Sequence, residues 1–206
     1  SCAMPQVFTA QHYLDSLVSM DSQGQVGPWL AKSWEVSPDG LSYTFHLRND
    51  VKFTDGTAFK ADAVKANLDH MANPKTQSST AGGYIRQYRS TEIIDDYTAV
   101  VHLKTPYAAF LEVLAQGFLG IQSPTALTRS RDQNCESPVG SGPFKVVKWQ
   151  RQNQIELGRN PDYNWAPPTA KHQGPAYLER VVWKFIQEPS VRFASLQAGE
   201  VDVIET

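Results

Sequence analysis

Between residues 41 and 48 apolar and polar side chains alternate without a break: Leu41, Tyr43, Phe45 and Leu47 against Ser42, Thr44, His46 and Arg48. A period of two over this length puts the large apolar groups on one face of an extended chain, so it demands a β-sheet with one buried face. Upstream, Ser37-Pro38-Asp39-Gly40 is a turn with a physical cause, because Pro38 presets φ and Gly40 accepts a positive φ. Trp34 and Val36, flanked by polar residues, supply the other arm of a hairpin. Val51 and Phe53 extend the pattern to a second turn at Asp55-Gly56, and Trp34, Phe45 and Phe53 are expected in the core.

Helical segments interleave with these strands. Residues 5–18 place Phe8, Tyr13, Leu14, Leu17 and Val18 near helical spacing behind Pro5, which predicts a helix. Residues 61–72 put Ala63, Val64, Asn67, Leu68 and Met71 on one side, and Asn73-Pro74 ends the run. Residues 75–83 read as a polar, mobile loop. Residues 92–94 and 99–103 form a second hairpin, and Pro106 opens a helix reaching about residue 116. Residues 117–142 are loop-rich, with a short helix after Pro124. Strands are expected at 144–150, 153–159, 178–187 and 201–204, with a long Pro-rich connection at 161–175. A helix at 190–198 ends on Gly199, a good C-terminal cap. The sum is a mixed α/β chain.

Charge narrows the function classes. The formal net charge is -2 over 206 residues, with no block of like charge, so nothing points to nucleic acid or an anionic membrane surface. No apolar run approaches the ~20 residues that cross a bilayer. Two cysteines, Cys2 and Cys135, cannot specify a disulfide from sequence. Cys2 reads as a cloning remnant or as a lipid-modified residue.

Sites of chemistry are weakly signalled. His12, His46, His70, His102 and His172 show no zinc-like spacing, so no metal site is expected from them. His46 and His102 alternate with apolar residues and should lie on a polar face. Gly140-Ser141-Gly142-Pro143 lacks the Gly-Lys-Ser/Thr ending of a phosphate loop and leads into a strand rather than a helix. Nor is Ser141 in a nucleophile elbow. Glycines there predict a tight passage with close backbone approach. Asp95-Asp96 sits in a hairpin turn, which explains it without catalysis. No cofactor is expected.

Six segments in fixed order carry a family resemblance. Leu30-Ala31-Lys32-Ser33-Trp34 with Ser37-Pro38-Asp39-Gly40 is the first, and Phe45-His46-Leu47-Arg48 with Val51-Lys52-Phe53-Thr54-Asp55-Gly56 the second. Ala61-Asp62-Ala63-Val64 follows, then Pro138-Val139-Gly140-Ser141-Gly142-Pro143-Phe144. Arg159-Asn160-Pro161-Asp162-Tyr163-Asn164-Trp165 and Leu196-Gln197-Ala198-Gly199-Glu200-Val201-Asp202 complete the set. Together they resemble the peptide/nickel-type (family 5) extracellular solute-binding proteins of ABC importers. In the fifth segment Asn164 separates a tyrosine and tryptophan that are adjacent in the family.

The resemblance implies the first lobe of a two-lobed, periplasmic-binding-protein-like type II fold with an extra β-rich subdomain, truncated before the second lobe. It implies first-lobe segments at 1–37 and 138–206 and the extra α+β subdomain at 38–137. The implied protein is a non-catalytic, monomeric, extracytoplasmic receptor, periplasmic or a cell-surface lipoprotein. It would hand a small solute, by default a peptide, to ABC permease subunits. Nickel, sugars and other small solutes are alternatives within the family; a non-transport role on the same scaffold, such as a sensor or periplasmic chaperone, and a hydrolase on an α/β scaffold are the rival readings. Ligand-side residues implied by position are Val7 and Phe8, Gly83 and Tyr84, and Phe118 and Gly120. The nickel-type receptors carry an arginine near the last of these loops, whereas Gly117 to Ile121 hold no positive charge here. One lobe alone is expected to bind solute weakly or not at all.

Overall fold

The computed structural model describes residues 9–205. Its centre is a four-stranded antiparallel sheet in the order β3-β4-β6-β5, built from β3 (Ala31–Val36), β4 (Ser42–Leu47), β5 (Tyr88–Asp95) and β6 (Thr98–Leu103). The alternation in β4 decides its sidedness. Tyr43, Phe45 and Leu47 are buried while Ser42, Thr44 and His46 are half-buried. On the neighbouring β6, Ala99, Val101 and Leu103 bury the same face. On the other face His46 approaches Glu35 at 3.7 Å, and His102 lies between Ser42 and Glu92. The expected hairpin turn is present, with Gly40 at φ +68°, a region that costs other residues strain. Its first arm, β3, begins upstream of residue 38, so the sheet draws on both sides of that position.

Helix α1 (Ala61–Ala72) covers the sheet. Ala61, Ala63, Val64, Asn67, Leu68 and Met71 are its buried residues, the i, i+3, i+4 spacing that a sheet-facing stripe requires. Phe45 and Phe59 are fully buried in this core, and Phe53 joins them, whereas Trp34 only packs against its margin. Each such phenylalanine contributes up to about 3 kcal/mol of burial.

A second, smaller sheet, β7 (Phe144–Gln150), β8 (Gln154–Arg159) and β9 (Arg180–Lys184), is also antiparallel. Its inner face, through Phe144, Ile155 and Leu157, packs on Ala10, Tyr13 and Leu14. A two-stranded ribbon, β1 (Val18–Met20) with β2 (Val26–Pro28), completes the sheets.

Several expectations need correction. The helix expected over 5–18 does not extend through its described part: residues 9–10 are helical, 11–13 turn, and Val18 begins β1. Residues 13–19 are buried throughout, and a fully buried extended segment shows no alternation, so its apolar run imitates a helix stripe. The loop expected at 75–83 contains a 3-10 turn, Pro74–Thr76, and a short helix, α2 (Ser79–Tyr84). Gly82 and Gly83 argue against a helix by propensity, but a side chain at Gly82 would come within 2.9 Å of the Met71 carbonyl oxygen, so close packing selects glycine there. The helix after Pro106 is only α3 (Phe110–Leu114). Residues 117–142 hold two short helices, α4 (Pro124–Leu127) and α5 (Arg131–Glu136), the second started by a Ser130/Gln133 capping box. The last helix, α6 (Pro189–Gln197), is as expected, but residues 201–204 pair with no described strand, and Val203 is 83% exposed. Cys135 is buried and disulfide-bonded; the other cysteine, Cys2, lies outside the described residues.

Candidate functional site

Two short elements bring an aromatic pair together. Tyr84 is the last residue of α2, and Phe118 sits in a 3-10 turn, Gly117–Leu119, that follows α3. Their ring centroids are 5.0 Å apart with the planes tilted by 43°. Tyr84 keeps 48% of its surface exposed, so the pair forms an aromatic wall that is partly open to solvent. Gly83 is exposed with open space where a Cβ would stand. Gly120 is different. It is buried, and a Cβ there would lie 2.5 Å from Leu14 Cβ, so it lets the wall close on the chain beneath. Tyr84, Phe118 and Gly83 are thus accessible or partly so, whereas Gly120 is buried against Leu14 and Asp15. Val7 and Phe8 lie outside the described residues.

The loop carrying Phe118 is pinned on both flanks. Upstream, Ser16 Oγ donates to the Gln116 carbonyl at 3.4 Å. Downstream, the buried Asn67 of α1 donates to the Gln122 carbonyl at 2.7 Å and accepts from the Gln122 N–H at 3.0 Å. Asp55 accepts from Ser123 Oγ at 2.7 Å and Thr125 Oγ1 at 2.6 Å, which helps to hold its carboxyl below the usual range although partial burial opposes this.

Behind the wall lies a buried carboxylate that motif reading did not single out. Asp15 is fully buried. Its Oδ2 accepts from Ser141 Oγ and from Trp165 Nε1, each at 2.8 Å, and the same indole N–H reaches the Ser141 carbonyl at 3.0 Å. Burial pushes the carboxyl up to about 7, against the opposing pull of Ser141, Trp165, Tyr163 and the Arg48 guanidinium. The main chain of Asp15 pairs with Ile121, whose N–H donates to the Asp15 carbonyl at 2.8 Å. One residue therefore joins the Phe118 loop, the Gly140–Gly142 passage and the Tyr163–Trp165 segment. A carboxylate embedded in the run Tyr13-Leu14-Asp15-Ser16-Leu17-Val18 was the available signal, since a charge among buried apolar residues needs partners.

The glycine run is a packing device. A Cβ at Gly140 would stand 1.8 Å from the Tyr13 carbonyl oxygen, and one at Gly142 2.7 Å from the Tyr13 carbonyl carbon. Gly142 N–H also donates to the Tyr13 carbonyl at 3.2 Å. Ser141 Oγ is buried and committed to Asp15, so it is no solvent-facing nucleophile. His12 packs instead against Phe144 and Trp183. Among the described residues no group of three or more His, Cys, Asp or Glu is placed to hold a metal ion, and no helix is long and apolar enough to cross a membrane.

Comparison with known proteins agrees with this architecture. The model of the bacterial extracellular solute-binding proteins, family 5 (Middle), matches residues 25–206. The glutathione-binding protein GsiB of Shigella flexneri is 34% identical over 191 residues, which is 93% of this chain and 36% of that protein. The chain thus spans little more than a third of the curated relatives it matches. Among solved structures, Campylobacter jejuni NikZ in complex with Ni(L-His) superposes with a TM-score of 0.81 at 30% identity, over 93% of this chain and 37% of that one. Helicobacter pylori DppA in complex with the peptide STSA gives a TM-score of 0.76 at 32% identity, over 95% and 41% of the two chains. The mixed α/β fold is that of these periplasmic binding proteins, and the chain belongs to the bacterial extracellular solute-binding proteins, family 5.

Proposed function

We propose that this chain forms one wall of the solute cleft of an extracytoplasmic receptor that delivers a small peptide to ABC permease subunits. The observation that carries the reading is the Tyr84–Phe118 pair, an aromatic wall partly open to solvent. Apolar enclosure supplies affinity in such clefts and a few polar groups set orientation. Gly83 leaves room for the solute beside Tyr84, and Gly120 lets the wall seat on Leu14. We take residues 38–137 as the subdomain that carries this wall, and 1–37 with 138–206 as the lobe beneath it.

A peptide is preferred over a metal chelate for two reasons. A curated relative binds glutathione, itself a short peptide, and a structural neighbour holds the peptide STSA. The loop from Gly117 to Ile121 offers no cation to an anionic chelator. The second wall would come from another lobe closing by a hinge. Leu178, Val191 and Phe193 are 63%, 49% and 55% exposed on the β9–α6 side, and we place the contact with the rest of a two-lobed receptor there. Periplasmic location and a monomeric state belong to the same proposal. Calorimetry of the 206-residue chain against glutathione and di- to tetrapeptides tests it: binding is expected to be much weaker than micromolar, and micromolar binding would contradict a site completed by a second wall.

A further inference from the structure

We propose that Asp15 is the positioning residue of this wall, and that its proton couples the Phe118 loop to the Gly140–Gly142 passage. The inference rests on reading Tyr84 and Phe118 as solute-facing. The Asp15 carboxylate is anchored on one side by Ser141 Oγ and the Trp165 indole, partners 126 and 150 residues away in sequence. Its main chain is anchored on the other side by Ile121, one residue after Gly120 and three after Phe118. A shift of residue 15 is therefore transmitted to both segments, because the glycines at 120, 140 and 142 leave no slack: each would clash with residues 13–15 if it carried a Cβ.

The charge state of Asp15 changes the strength of both side-chain bonds, since N–H and O–H donors bind a carboxylate more tightly than a neutral acid. The other groups around it do not compete in the neutral range. Burial raises the phenols of Tyr13 and Tyr163, keeping them protonated. The Arg48 guanidinium is a fixed cation and is paired with Asp50 at 2.6 Å. His12 is lowered by burial and faces Phe144 and Trp183. Residues 117–121 and 138–143 contain no titratable side chain. Loss of the proton should tighten Ser141 and Trp165 on Asp15 and draw the Phe118 loop with them.

The test needs no solute, so its failure is separable from failure of the cleft reading. Proton–nitrogen NMR spectra of the 206-residue chain are recorded from pH 5 to pH 9, with the Trp165 indole signal assigned from Trp165→Phe. The Trp165 indole N–H and the Ile121 and Phe118 amides are expected to shift with one common midpoint near neutral pH, and Asp15→Asn should abolish that step. Should Asp15→Asn not fold, Ser141→Ala is used: removing a donor to the carboxylate should move the common midpoint to higher pH. Titration of the indole without Ile121 and Phe118, persistence of the step in Asp15→Asn, or an unmoved midpoint in Ser141→Ala would each overturn the proposal.

Discussion

The Trp165 indole N–H donates to the Asp15 carboxylate at 2.8 Å across 150 residues of sequence, in the buried interior. A hydrogen bond to a buried charged group contributes more than a neutral one, and removing its donor leaves the acceptor undercompensated. Trp165→Phe keeps most of the ring and deletes the donor. It is expected to cost about 2–3 kcal/mol, read from urea-denaturation midpoints at pH 8, where Asp15 is charged.

The raised Asp15 pKa gives a pH dependence of definite sign. The folded chain holds this proton up to about 7, whereas an unfolded aspartate releases it near 4. The contribution of Asp15 to stability is fully present below the unfolded value, falls as pH rises from about 4 to about 7, and is flat above that. The span corresponds to up to about 4 kcal/mol. Comparing wild type and Asp15→Asn at pH 5 and pH 8 isolates it: the pH-dependent loss of stability should be smaller in the variant, and an equal loss in both would contradict the assignment.

Glycine substitutions should separate packing from openness. Gly140→Ala would drive a methyl group into the Tyr13 main chain, and Gly120→Ala into Leu14. Each is expected to destabilise by about 1–3 kcal/mol or more. Gly83→Ala meets open space within α2, so it should be neutral or stabilise by up to about 1 kcal/mol. Thermal melts of the three variants rank them.

Asn67 ties α1 to the residue following Ile121 with both ends of its amide. Asn67→Ala should cost about 2–3 kcal/mol, since it strands the Gln122 main chain in a partly buried position. Hydrogen exchange at Gln122 should accelerate in this variant more than exchange in β4.

The contrast between β4 and residues 13–19 shows what was legible beforehand. In β4 one face is buried, so polarity alternates and the pattern declares a strand. In residues 13–19 every side chain is buried, alternation vanishes, and the same kinds of residue imitate a helix. Helix α1 was readable to its ends because Asn73-Pro74 breaks it and its stripe faces one sheet. Helix α2 was not, because Gly82 answers to the Met71 carbonyl, a contact that local propensity cannot express. The site divides likewise. Tyr84 and Phe118 were proposed by position in the family pattern, and the structure sets them ring to ring. Asp15 was missed because its partners, Ser141 and Trp165, lie more than a hundred residues away and no local motif contains all three.

The Tyr84–Phe118 wall is proposed to face solute, and an NMR titration of the 206-residue chain with millimolar glutathione and short peptides checks this. Shifts are predicted to concentrate at Gly83, Tyr84 and Phe118, with an apparent affinity that Tyr84→Ala weakens by about tenfold or more. Shifts confined to the β7–β9 sheet, shifts unchanged in Tyr84→Ala, or none at these three residues would contradict it.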